Sequence, residues 1–171
     1  AAAELFRRAQ DAHRRVQGTG SGADIAASTF GGTLAYRWCT DDGPSTGEDV
    51  VRTADGYAMI RPVEGPIEWI SGVWSGRSAS TPELVRKVQA LQRNNPDAYS
   101  TAITELADAA LSALTPWTEG DRERLVACAR ASTDALKRLG TWAGVDLVTS
   151  EHDALNRIVG DRGFVKPTGA G

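Results

Sequence analysis

Sulfur and imidazole are scarce here: 171 residues hold two cysteines, one methionine and two histidines. Cys39 and Cys128 stand far apart without CxxC spacing, so neither a zinc site nor a disulfide framework is indicated. No apolar run approaches the roughly 18 to 20 residues of a membrane span. The opening stretch carries Arg7, Arg8, Arg14 and Arg15 among acids, where a signal peptide would have an apolar centre. Cationic excess is missing too. Lys plus Arg total 19 against 22 Asp plus Glu, a net charge of −3, whereas polyanion binding needs clustered cations. No nucleic-acid partner and no membrane partner is expected, and the cytoplasm is the default compartment. Internal repeats, low-complexity tracts, a complete metal constellation and a Ser-His-Asp set are all wanting.

What remains is an ordinary globular balance, 41% hydrophobic and 24% charged, over a length that fits one domain. Leu5, Phe6, Ala9, Ala12, His13 and Val16 recur at helical spacing with arginines opposite, and Gly18-Thr19-Gly20 breaks that helix. A short helix opens at Ser21. Thr29 to Trp38, Gly56 to Pro62 and Ile67 to Trp74 read as strands, and Thr40 to Asp49 as a surface loop. From there the pattern turns helical. Ser80-Thr81-Pro82-Glu83 starts a helix through Leu84, Val85, Val88 and Leu91 that closes at Asn94-Asn95-Pro96. A second holds Ile103 to Leu114 and ends near Pro116; a third holds Leu125 to Leu139 and ends at Gly140. A fourth, Ala154 to Val159, stops at Gly160, and a last strand begins at Phe164. The fold class is α+β, with antiparallel strands in the first half followed by a layer of amphipathic helices.

Three glycine-bearing polar segments are the places for chemistry. Gly18 to Asp24 leads into a helix, and its glycines permit close approach of a ligand. Ser21 and Asp24 equally fit a capping box that only satisfies backbone donors. Ser75 to Pro82 offers hydroxyls, Arg77 and a helix start to a phosphate or carboxylate, or else merely a cap at Ser80 or Thr81. Lys166 to Gly171 is either a phosphate-cradling loop or a tail. His13 reads as a core or interface histidine and His152 as solvent-exposed near a helix start. Trp38, Trp69, Trp74, Trp117 and Trp142 are not periodic and read as core or interface packing. Arg122, Arg124, Arg130, Lys137 and Arg138 read as a solvated face.

The stretch Gly20-Ser21-Gly22-Ala23-Asp24-Ile25-Ala26-Ala27-Ser28-Thr29-Phe30-Gly31-Gly32 resembles the segment around the catalytic aspartate of the GHMP kinase superfamily. The likeness continues in order through Gly76-Arg77-Ser78-Ala79-Ser80-Thr81 and Lys166-Pro167-Thr168-Gly169-Ala170-Gly171, which resembles the start of the third, glycine-rich motif. Within the superfamily, Trp74 to Thr81 and the Gly-Ser-Gly-Ala-Asp form lean towards the phosphomevalonate kinases. The related decarboxylases lack an aspartate at the position of Asp24.

The resemblance implies a GHMP-kinase-like α+β fold, incomplete in this chain. Residues 1–75 would be part of the N-terminal kinase domain, and 76–171 a helical C-terminal domain truncated at the third motif. It implies ATP-dependent phosphoryl transfer to phosphomevalonate or a related acceptor, with ATP and Mg²⁺ as cofactors. A mevalonate or sugar kinase, or a kinase-like domain that binds without catalysis, stands beside that reading. Asp24 would sit by the acceptor group, accepting its proton or orienting it, with Ser21 and Gly22 shaping the turn. Arg77, Ser78, Ser80 and Thr81 would meet the acceptor's phosphate or carboxylate. Thr168, Gly169, Ala170 and Gly171 would approach the transferred phosphate, and no residue is assigned to a metal. The superfamily's Pro-x-x-x-Gly-Leu-Gly-Ser-Ser-Ala loop is absent from this sequence. With the unfinished third motif, this implies a piece of a longer kinase that does not turn over alone. Its truncated edges would expose apolar surface to a homodimer partner or a complementing chain.

Overall fold

A computed structural model describes residues 1–18, 20–40, 49–74 and 81–167, with the backbone only of Thr81 and Pro82. The length alone fits one domain, but the chain divides into two compact units, Ala1–Ile67 and Glu68–Gly171. The described residues form an α+β fold with a three-stranded antiparallel sheet.

The first unit comprises α1 (Ala2–Gln17), α2 (Ala23–Phe30), β1 (Leu34–Cys39), β2 (Val50–Thr53) and β3 (Gly56–Pro62), with strand order β1-β3-β2. β1 aligns Tyr36 with Ile60 and Trp38 with Ala58 on β3, while β2 aligns Val51 with Ala58. Side chains alternate across a sheet, so Leu34, Tyr36, Trp38, Val51, Ala58 and Ile60 share the face that packs on Phe6 and Ala26. Phe6 is fully buried, its ring 6.1 Å from Phe30 and 6.5 Å from Tyr36. Burying a side chain of that size stabilises by about 1.5–3 kcal/mol.

Several expectations change in this unit. The buried positions of α1 are Phe6 and Gln10, while Leu5 and Val16 are exposed. The helix therefore turns a narrower and partly polar stripe inward. Thr29 and Phe30 belong to α2 and not to a strand, because the Phe30 ring packs on Phe6 from the helix. β2 falls where no strand was expected. Of the loop expected over 40–49, residues 41–48 lie outside the described residues.

A 3₁₀ turn, Ile67–Trp69, replaces the start of the strand expected over 67–74, and the rest of that stretch has no regular structure. Its side chains have the β-pattern, but β-propensity acts through cross-strand neighbours, and none is present among the described residues. The second unit continues with α3 (Thr81–Asn94), α4 (Pro96–Ser112), α5 (Leu114–Glu119), α6 (Arg122–Ala143), α7 (Ser150–Val159) and a 3₁₀ turn, Gly160–Arg162. Asn95 caps α4 by accepting from the Ala98 amide at 3.1 Å, with Pro96 just inside. Asp121 caps α6 in the same way through the Arg124 amide at 3.0 Å. Leu91, Ala102 and Leu139 join α3, α4 and α6 in one core. No described helix is long and apolar enough to cross a membrane.

The expected cationic face of α6 is exposed, yet its side chains reach across to neighbours. Arg138 meets Glu105 at 2.6 Å and Lys137 meets Asp153 at 2.7 Å, which holds the Asp153 carboxyl below its ordinary value. Trp117 is buried, Trp69 and Trp142 are 40% and 42% exposed, and Trp74 is 82% exposed. Trp69 lies under the Arg122 guanidinium at 5.8 Å. Of the strand expected from Phe164, the described residues 164–167 form none: Asn156 occupies both backbone groups of Val165 at 2.7 and 2.8 Å, so a side chain takes the place of a partner strand.

Gly140 does not end α6, which runs on to Ala143 and closes at Gly144. Its glycine serves a close approach instead. A Cβ there would lie 2.6 Å from the Val145 carbonyl oxygen and 3.3 Å from the Leu147 nitrogen, where the chain folds back over the helix. Gly140→Ala is therefore expected to lower stability by about 1–3 kcal/mol through backbone displacement. A fall in the urea midpoint at unchanged m-value would show it, and a rise would mean the returning segment moves freely.

Candidate functional site around the Gly20–Asp24 turn

Asp24 stands exposed in the first turn of α2. The capping box read for this helix is not formed. Gly22 is the N-cap in a left-handed conformation, φ 77°, with no side-chain cap, and Ser21 Oγ makes only a 3.4 Å contact from the Ala23 amide. An L-residue resists that backbone shape, and a Cβ at Gly22 would overlap the Gln10 carboxamide. The turn is thus shaped by its backbone, leaving the Asp24 carboxylate outside any capping bond the structure records.

Three side chains hold the turn's carbonyls. Gln10 Nε2 donates to the Gly20 oxygen at 3.4 Å and Arg14 Nη2 to the same oxygen at 3.3 Å. The Tyr36 hydroxyl donates to the Ser21 carbonyl. Arg14 is also spread over the Trp38 ring at 4.5 Å and reaches Asp55 at 3.3 Å, so it belongs to this cluster and not to a solvent face. His13 is half-buried beside it, its Nε2 only 2.8 Å from where a Gly20 Cβ would sit. Burial pushes the Tyr36 hydroxyl up to about 12, with Arg14 opposing the rise and the Asp24 charge adding to it.

Gln10, Arg14, Tyr36 and Trp38 were not singled out for a site by the sequence. One signal was available: Phe6, Gln10 and Arg14 recur at i, i+4 on α1, which puts a glutamine and an arginine in line with the most buried ring of the helix. Of the other expected site residues, Arg77, Ser78, Ser80, Thr168, Gly169, Ala170 and Gly171 lie outside the described residues. Thr81 begins α3, and its side chain is likewise outside the description. His152 is not the solvent-exposed residue expected. It is half-buried, and its Nδ1 accepts from the Thr149 amide at 3.1 Å in a capping pair at the start of α7.

Two clefts among the described residues of the second unit contain no expected site residue. One, of about 340 Å³, lies against Lys87, Leu91, Asn94 and Trp142; the other, about 280 Å³, against Arg130, Lys137, Asp153 and Asn156. Among the described residues no group of three or more His, Cys, Asp or Glu could hold a metal ion.

Comparison with known proteins adds a relative. The chain is 31% identical over 179 aligned positions to the phosphomevalonate kinase of Streptomyces sp. (strain CL190), covering 98% of this chain and 47% of that protein. The chain is similar to a kinase. The crystal structure of a Lin0012 protein from Listeria innocua matches with a TM-score of 0.82 at 24% identity, over 100% of this chain and 50% of that one. That likeness shows a shared fold alone. The chain spans about half the length of both proteins it matches. No protein-family model matches.

A pH dependence follows from Tyr36. Its hydroxyl ionises near pH 10 in an unfolded chain and near 12 in the fold. The stability this difference supplies is fully present below pH 10 and is lost as pH rises from 10 through 12. Urea unfolding between pH 9 and 11.5 should show the decline, and Tyr36→Phe should flatten it. An equal decline in both proteins would assign it elsewhere.

Proposed function

We propose that this chain is part of an ATP-dependent small-molecule kinase that passes the γ-phosphoryl group to phosphomevalonate or a close relative of it. The observation that carries this reading is the 31% identity with a phosphomevalonate kinase along 98% of the chain. The exposed position of Asp24, at the helix start where the superfamily's motif has its aspartate, supports it. In this reading residues 1–75 belong to the N-terminal kinase domain and 76–171 to the C-terminal one. A partner chain or a longer product would complete the nucleotide cradle.

The chemistry asked of the protein is modest. Phosphoryl transfer is governed by positioning and charge stabilisation, with little covalent work for side chains. Asp24 accepts or orients the proton of the acceptor group, and the α1 cluster keeps the turn beneath it in one shape. Arg77, Ser78, Ser80 and Thr81 would bind the acceptor's anionic groups, and Thr168, Gly169, Ala170 and Gly171 would serve the transferred phosphate. ATP with Mg²⁺, when bound, would supply the phosphoryl group and neutralise its charge.

A coupled ADP-release assay on the product of the whole coding sequence tests this with mevalonate, phosphomevalonate, homoserine and galactose. Turnover is expected with phosphomevalonate, and Asp24→Asn should lower kcat by about 10²- to 10⁴-fold. No turnover with any of the four would sink the kinase reading. Intact turnover in Asp24→Asn would remove that residue from the chemistry.

A further inference from the structure

We propose that Gln10 is a positioning residue for Asp24: its buried carboxamide fastens the Gly20–Gly22 turn to α1 and so fixes where α2 presents the Asp24 carboxylate. The catalytic meaning of that placement rests on the kinase reading above; the fastening itself does not.

Gln10 has no exposed surface, although it lies on a helix whose inward stripe also holds Phe6. A buried amide costs free energy unless its polar atoms are matched, so an apolar side chain would serve the core better. The carboxamide is aimed at the turn. Its Nε2 donates to the Gly20 carbonyl, its buried Oε1 has no partner among the described residues, and the space it fills is the space a Gly22 Cβ would need. Gly20 and Gly22 both have positive φ, 140° and 77°, and glycines in such a turn are free to relax unless held from outside. The Gly20 carbonyl is shared with Arg14, one helical turn further along α1. The Ser21 carbonyl is held from β1 by Tyr36. Two elements thus grip two consecutive carbonyls just ahead of α2. The first hydrogen bond of α2, from the Ala26 amide to the Gly22 carbonyl at 2.8 Å, hangs from that gripped turn.

The Ala26 amide therefore reports on the grip without any reference to phosphoryl transfer. In this 171-residue chain, Gln10→Met keeps the volume and removes both polar atoms. It should speed hydrogen exchange at Ala26 by roughly tenfold, the worth of about one buried hydrogen bond, while the Ala58 and Ile60 amides of β3 keep their rates. Gln10→Glu adds a readout that a plain packing residue would not move. While the introduced carboxyl is protonated it can still donate to the Gly20 oxygen. Once ionised it cannot, so the Ala26 rate relative to wild type should step upward with pH while β3 stays level. A uniform acceleration across Ala26, Ala58 and Ile60 would make Gln10 an ordinary core residue and overturn the proposal. So would unchanged exchange at Ala26 in both variants. In the whole product, Gln10→Met should lower kcat several-fold with KM unaltered. Unaltered kcat in an enzyme that does depend on Asp24 would also overturn it. Should Asp24→Asn leave turnover intact, the kinase reading fails and the exchange result still decides the fastening.

Discussion

The fully buried Phe6 ring joins α1, α2 and the sheet, and the first unit depends on it. Phe30 reaches it from α2, Tyr36 from β1, and Ala26, Ala58 and Ile60 close around it. A three-stranded sheet is near the lower limit of independent stability and needs helices on its apolar face. Phe6 supplies that cover at one point of contact for three elements. The polar side chains that follow it along α1, Gln10 and Arg14, are consequently carried to one place, the carbonyl of Gly20. Packing and site geometry are coupled because they share a helix face.

The second unit is held differently. Among the described residues its core centres on Leu91, Ala102 and Leu139, and Ala109, Ala129 and Ala135 are buried as well. Outside that interior, ion pairs between Arg138 and Glu105 and between Lys137 and Asp153 tie neighbouring helices. Exposed pairs of this kind each contribute at most about 1 kcal/mol, so they set alignment more than stability.

The legible parts of the fold were those written in local chemistry. α7 ends at Gly160, β3 spans the expected residues, and the Asn95-Pro96 boundary falls where capping logic puts it. The illegible parts depended on distant neighbours. Ile67 to Trp74 has strand-like composition without a partner strand, and Gly140 resembles a terminator while serving a crossing at Val145. Around Asp24 the motif placed the aspartate at a helix start correctly. It gave no hint that the turn is held by Gln10, Arg14 and Tyr36, since those contacts join residues distant along the chain.

By itself the sequence determined the α+β class, the end of α1, both ends of α3, the end of α7 and the aspartate in the first turn of α2, because periodicity, caps and glycine conformations are local properties. Only the tertiary structure decided that Gln10 lies buried, that Arg14 spreads over Trp38, and that the Gly20–Gly22 turn is held from two elements. The reason is that a polar side chain on an amphipathic helix can face water or a neighbour with the same local pattern, and packing alone selects between them.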